Sequence, residues 1–189
     1  MKIEKYYFFL ALFVAVILAN ILRQIIGPWG VDINHMMYFG QRLLAGNFHW
    51  IQEFDDKLPI LQIIFALPAA FESFAVWRAM SLTLLFSGAA AVYLLIDDML
   101  RHNTNMTSLG RSQYACLGGV SSFYLMVFLP GGIHHINAPA ASMAAIALAA
   151  LALSYQPKRR KIAFMAYILL SAFAASVAIG IRPYFLMPS

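Results

Sequence analysis

Five uncharged, strongly apolar runs punctuate the chain, at residues 6–22, 79–96, 114–129, 138–155 and 162–181. Each comes near the length of about 20 residues with which a helix crosses roughly 30 Å of hydrocarbon. In lipid a backbone must satisfy its own hydrogen bonds, so runs of this kind fold as helices. Composition agrees: 62% of residues are hydrophobic and 11% charged, far from the roughly one-quarter charged content of soluble domains. The expected fold class is therefore all-α, a polytopic transmembrane bundle of about five spans. The 189 residues leave room for one membrane domain, residues 1–189. The first run follows Lys2 and Lys5, continues past an ordinary signal-peptide core and shows no clear small-residue cleavage site before Arg23, so it reads as a retained anchor.

Residues 58–71 form a sixth uncharged stretch, but one of only 14 residues, and Pro68 is expected to interrupt it. Basic residues accumulate on the cytoplasmic side of membrane proteins, which arbitrates its position. With this segment at the surface, Lys2, Lys5, Arg101, Arg111, Lys158, Arg159, Arg160 and Lys161 lie inside, against Arg23, Arg42, Lys57, Arg78 and Arg182 outside. With it spanning, the distribution becomes four inside against nine outside, and the PKRRK cluster falls on the wrong face. The segment therefore reads as a juxtamembrane helix within an outer loop covering residues 27–77, with the amino terminus cytoplasmic. Compact loops lean toward a bacterial inner membrane. The sequon at Asn105 and Thr107 falls on the cytoplasmic side and is expected to stay unmodified.

The basic residues flank apolar runs instead of forming a stripe, so nucleic acid is not an expected partner. Cys116 is the single cysteine, which leaves disulfide and paired-cysteine zinc sites without a partner; it reads as a small buried side chain. The alanine-rich stretch 140–152 suits close helix packing. Asp97 and Asp98, with Arg101 and His102, read as a solvated cytoplasmic helix end.

The outer loop holds five of the eight acidic residues. Asp32 follows the turn-forming Gly27, Pro28 and Gly30, and can cap a helix over 33–45 while its charge favours the positive end of the helix dipole. Asn34, His35, Tyr38, Arg42, Glu53, Asp55, Asp56 and Lys57 gather further polar groups beside the membrane, where such groups are often functional. His134 and His135 fall in a second outer loop. Adjacent histidines point in different directions, so the two rarely share one ion. Asp32 or Asp56 with His134 would suit a divalent metal, and contacts from these histidines to sugar or phosphate are the stronger expectation. His49 and Trp50 suit the headgroup boundary.

The run from Asp32 through Y-F-G-Q-R-L-L-A-G-N, then F-D-D-K-L-P-I-L, then W-R-A-M-S, resembles the amino-terminal module of the GT-C type membrane glycosyltransferases, relatives of the protein O-mannosyltransferases and lipid A aminoarabinose transferases. Matching positions are Asp32, Tyr38, Leu43, Leu44, Gly46, Lys57, Pro59 and Arg78, with Leu58 where many members carry a proline. Gly180-Ile181-Arg182-Pro183 resembles a later position at which members carry Lys-Pro or Lys-Gly-Pro. Family members are usually longer, so the resemblance implies that this chain corresponds to their amino-terminal module.

The resemblance further implies a sugar carried on a polyprenyl phosphate and transferred to a glycan, lipid or protein acceptor with inversion. Asp32 would be the general base, worth about 10²- to 10⁴-fold in rate. Arg182 and Lys57 would hold the leaving phosphate, arginine as a bidentate fork. His35, Tyr38, Asp56, Arg78, His134 and His135 complete the candidate substrate-binding set. No cofactor is required, and a divalent metal is compatible with it. A non-catalytic scaffold or lipid-binding subunit of the same shape is the competing class. A transporter would place ionisable residues at mid-span, and the runs contain almost none. Cysteines introduced near Gln113 and Lys158, after replacement of Cys116, are expected to resist an impermeant thiol reagent added outside; labelling at both would invert the topology.

Overall fold

The computed structural model describes residues 10, 11, 14, 15, 18, 31–47, 60–101, 106–128, 137–154 and 161–181. Among them every regular element is an α-helix: α1 (Val31–Leu44), α2 (Ile60–Ala70), α3 (Phe74–Leu100), α4 (Ser108–Phe128), α5 (Asn137–Ser154) and α6 (Lys161–Ile181). Leu10, Ala11, Val14, Ala15 and Leu18 are also helical.

Helix α1 is amphipathic: Met36, Met37, Phe39 and Gly40 are buried, while Asn34, His35, Tyr38 and Gln41 are exposed. Its end explains the Leu-Leu-Ala-Gly sequence. Gly46 adopts φ +79°, its N–H donates to Leu43 O at 3.0 Å and Asn47 N–H donates to Arg42 O at 2.9 Å. This pair of bonds satisfies carbonyls that the helix leaves open, and the left-handed φ suits a residue without a Cβ. Because α1 starts at Val31, Asp32 lies in its first turn and not at the capping position ahead of it.

Pro68 does not interrupt α2, which runs through it to Ala70. The helix ends in the same hydrogen-bond pattern, with Glu72 N–H donating to Ala69 O at 3.0 Å and Ser73 N–H to Pro68 O at 3.1 Å. Glu72 takes the left-handed position at φ 47°, where a residue with a Cβ is strained. Ser73 then caps α3, its Oγ accepting from Ala75 N–H at 3.2 Å. Two helices therefore meet at a three-residue corner.

Helices α3 and α4 run antiparallel. Phe86 meets Phe123 with ring centroids 5.8 Å apart, and at the far end Asp97 Oδ1 accepts from Arg111 Nε at 2.9 Å. Asp97 Oδ2 also accepts from Arg101 Nη2 at 3.0 Å. The expected solvated helix end is thus a clamp, in which one half-buried carboxylate joins the end of α3 to the start of α4. Helices α5 and α6 form the second antiparallel pair, packed through small residues: Ala147 and Met143 against Ala174 and Ala178, with Ser171 Oγ donating to Ala147 O at 2.9 Å. Small side chains let the backbones approach closely enough for that bond. Gly88 joins the two pairs, a Cβ there lying 3.0 Å from Ser142 Cα and 3.2 Å from Met126 Sδ. Ala15 of the amino-terminal stretch packs with Leu85, Ala89 and Phe123.

Four of the five apolar runs coincide with helices, α3 to α6; the first run lies mostly outside the described residues. Two helices among the described residues are long and apolar enough to cross a membrane, α3 along its whole length and Ile162–Ile179 within α6. Helix α5 contributes a shorter apolar stretch, Ala140–Ser154. Helix α4 opens on Ser108, Arg111, Ser112 and Gln113, polar residues that dilute its first turns. Cys116, expected to be buried, is half-buried.

Helices α1 and α2 pack closely at Gly40. A Cβ on Gly40 would collide with the carbonyl oxygen of Phe65 and sit 3.0 Å from Ala69 Cβ. Gly40→Val is therefore expected to destabilise the α1–α2 pair by about 1–3 kcal/mol, seen as a lowered unfolding midpoint in detergent, whereas Gln41→Ala on the exposed face leaves it unchanged.

Candidate functional site

The site is built where the α1–α2 pair meets the ends of three longer helices. Met36, Met37 and Phe39 of α1, Phe65 of α2, Trp77 of α3 and Ala140 of α5 form one buried cluster, against which Ile64 of α2 and Val177 of α6 pack. Trp77 is 1% exposed and stacks on Phe65 with centroids 4.2 Å apart and planes 27° from parallel. Trp77 lies in the first turn of α3, Ala140 in the first turn of α5, and Val177 in the last turns of α6. The helix carrying Asp32 is thus seated at the end of the bundle toward which α6 runs as it approaches Arg182.

The outward side of α1 carries the polar groups. His35, Tyr38 and Arg42 share one face at helical spacing. The His35 imidazole packs on Phe39 at 4.3 Å, and the Arg42 guanidinium carbon lies 5.8 Å from the centre of the Tyr38 ring, within cation–π range. Tyr38 is 51% exposed despite its size. Arg78 is exposed on the second turn of α3, one residue after the buried Trp77. This end of the bundle therefore presents an imidazole, a phenol and guanidinium groups above an aromatic floor, all hydrogen-bonding or cationic groups suited to hydroxyls and phosphate.

Of the residues singled out from the sequence, His35, Tyr38 and Arg78 are placed at this end of the molecule. The backbone of Asp32 is there too, in the first turn of α1, where a carboxylate is favoured by the dipole. The Asp32 side chain lies outside the described structure, as do Asp56, Lys57, His134, His135 and Arg182. Among the described residues no three His, Cys, Asp or Glu gather as a metal site; Asp56 and His134, named as metal candidates, are not among them.

Two polar residues at this end had not been singled out. Gln62 on α2 and Ser81 on α3 are buried, and among the described residues neither Gln62 Oε1 nor Ser81 Oγ has a hydrogen-bond partner. Burying a polar group without a hydrogen bond costs about 1–3 kcal/mol. Gln62 is the single polar side chain in the eleven residues ILQIIFALPAA and is uncharged, so it gives no local signal. Ser81 closes the W-R-A-M-S motif, but serine is common enough in membrane helices to give no signal alone.

Comparison with protein-family models, curated proteins and solved structures gives no match to the chain.

Because Trp77 links α2 to α3 through its stack on Phe65 and lies in the cluster that also holds Met36 and Phe39 of α1, Trp77→Ala is expected to cost about 3–5 kcal/mol of local stability. Hydrogen exchange is the measurement: amides of α1 and α2 accelerate, while those of the α5–α6 pair keep their protection.

Proposed function

We propose that the chain is a multi-pass membrane protein whose outer end acts in sugar transfer from a polyprenyl-phosphate donor to an envelope glycan, lipid or protein. The membrane reading is supported by which side of each helix is apolar. In the two long apolar helices only 28% and 17% of the most apolar stretch is buried, the reverse of a soluble core helix. Ile162, Leu169 and Phe173 of α6, Leu117 and Leu125 of α4 and Leu148 of α5 all face outward. Exposed hydroxyls on these helices are closed off locally: Thr83 Oγ1 donates to Ala79 O, Ser87 Oγ to Thr83 O and Ser176 Oγ to Ala172 O, each at 2.8 Å. A hydroxyl with no water to bond needs such a partner. Twenty residues of α3 separate Trp77 from Asp97, a rise of about 30 Å at 1.5 Å per residue, which equals the hydrocarbon thickness. The five-span arrangement, with the α1 end outside and the Asp97–Arg111 end in the cytoplasm, is part of this reading.

The observation that carries the catalytic part is that α1, whose first turn bears Asp32, and the last turns of α6, which precede Arg182 in sequence, contribute to one buried cluster through Met36, Phe39 and Val177. An aspartate on the first and an arginine following the second are the pieces needed to deprotonate an acceptor hydroxyl and hold a departing lipid phosphate. In this mechanism Asp32 takes the hydroxyl proton as the oxygen attacks the anomeric carbon. The bond from that carbon to the phosphate oxygen breaks on the opposite face, inverting the centre. Arg182 and Lys57 neutralise the phosphate charge, while His35, Tyr38 and Arg78 contact the sugar or phosphate. Tyr38 supplies an exposed ring and the half-buried Arg42 beside it a guanidinium that such a substrate would meet on α1.

Asp32→Asn is expected to lower transfer of labelled sugar from polyprenyl-phosphate donors by about 10²- to 10⁴-fold with expression and membrane insertion unchanged. Transfer retained by this variant would remove Asp32 as the base, and absence of transfer by the unaltered chain with every donor tried would favour a non-catalytic lipid-binding role.

A further inference from the structure

Helix α4 and the amino-terminal stretch enclose a cavity of about 600 Å³. Small side chains leave it open: Ala11 stands on one wall, Ser112 and Cys116 on the other. One turn further along the stretch, Ala15 is 2% exposed and packs with Leu85, Ala89 and Phe123, which anchors that wall to the bundle. Ser112, Cys116 and Val120 lie at i, i+4 and i+8, and Leu109, Gln113 and Leu117 form a second row beside them. The cavity is therefore a groove along the helix axis. From Leu109 to Val120 the rise is about 16 Å at 1.5 Å per residue, close to half of the roughly 30 Å hydrocarbon thickness. Its rim is apolar and open, with Leu10, Leu109 and Leu117 exposed. None of the lining residues carries a charge, and two have hydrogen-bond donors. Ser112 is 6% exposed and Gln113 is exposed, and among the described residues neither donates a side-chain hydrogen bond. Both sit early in α4, at the end tied to α3 by the Asp97–Arg111 bond and remote from α1.

We infer that this groove binds one acyl chain of a glycerophospholipid, with the ester carbonyl of that chain accepting from Ser112 Oγ and Gln113 Nε2. The inference rests on the membrane reading above, and the site lies apart from the sugar-transfer end. Size selects a flexible chain: a second helix, about 10 Å across, laid along the same length would displace about twice the volume. Chemistry selects the ester. A phosphate or free carboxylate carries charge that an uncharged lining cannot neutralise, whereas two neutral donors suit a neutral carbonyl oxygen. A polyprenyl phosphate bears its phosphate directly on the chain and has no such carbonyl. A donor facing hydrocarbon is costly when unmade, and the ester at the head of an acyl chain is the acceptor that a bilayer supplies at its boundary.

Cys116 reports occupancy in the unaltered chain, because its thiol lines the groove and it is the single cysteine. The full chain in detergent is alkylated with N-ethylmaleimide while dioleoylphosphatidylcholine is titrated in. The rate is expected to fall saturably. The diether analogue, which lacks the carbonyls, is expected to protect with an apparent affinity about two- to tenfold weaker, the worth of one hydrogen bond. Ser112→Ala and, independently, Gln113→Leu move the diester toward the diether value, while Leu125→Ala, outward on α4 beyond the groove, leaves it unchanged. Undecaprenyl phosphate is expected to give no protection. Equal protection by diester and diether, or protection by undecaprenyl phosphate matching the diester, overturns the assignment of the ester. Unchanged alkylation at every lipid concentration overturns the site. Alkylation that slows with protein concentration alone gives the groove to a second copy and overturns it too. Alkaline carbonate extraction of membranes from expressing cells separates the underlying reading: a chain that stays in the membrane while lipid protection fails leaves that reading intact, and a chain released by carbonate overturns both.

Discussion

The stack of Trp77 on Phe65 is the contact on which the α1–α2 end of this molecule depends. Helices of 14 and 11 residues are near or below the length at which an isolated helix persists in water, and their mutual packing buries only one side of each. Trp77 provides a large, enclosed aromatic surface in a cluster to which α1, α2, α5 and α6 also contribute. Because it sits in the first turn of α3, it ties the pair to the rigid part of the bundle. The position of Asp32 follows from that tie, since the helix bearing it reaches the long helices through the cluster of which Trp77 is the centre.

The two ends of α3 use different physics. At the Trp77 end, cohesion is apolar and aromatic, and the polar groups of α1 stand outside it. At the Asp97 end, cohesion is ionic: one carboxylate, 13% exposed, accepts from two guanidinium groups on successive helices. Arg101 is largely exposed, so its bond contributes little; the Arg111 bond is the better shielded and joins residues far apart in sequence. Between the ends, packing relies on small residues, with Gly88 against Ser142 and alanines facing alanines in α5 and α6. Such contacts suit a medium in which burial of apolar surface gives no driving force and close approach must supply the attraction.

Helix existence was largely legible in the chain, since local signals set it: uncharged runs for α3, α5 and α6, the Leu-Leu-Ala-Gly ending for α1, and the change of composition at Glu72 and Ser73. Two local readings differed. Pro68 was expected to break α2, but it sits in the last turn, where its carbonyl serves the terminating bond from Ser73 and the helix needs to continue only two residues more. Asp32 was expected ahead of its helix and lies inside the first turn, a shift of the kind that helix ends commonly show. The candidate site was legible in residue types more than in place: His35, Tyr38 and Arg78 carried the signal by standing polar beside apolar runs, whereas Gln62 is a lone uncharged side chain in an apolar segment and gives no local signal.

By itself the sequence determined that the chain is helical, where most helices begin and end, and that its first loop concentrates acidic and aromatic groups, because periodicity, capping residues and charge gaps act over one or two turns. Tertiary structure alone decided that the α1–α2 pair shares a buried cluster with the start of α3 and α5 and the finish of α6, that Asp97 of α3 reaches Arg111 of α4, and that α2 turns an apolar face outward beside a polar one. Each of these joins residues separated by ten to well over a hundred positions or depends on which side of a helix a neighbour covers, and nothing within one turn of the chain encodes such a choice.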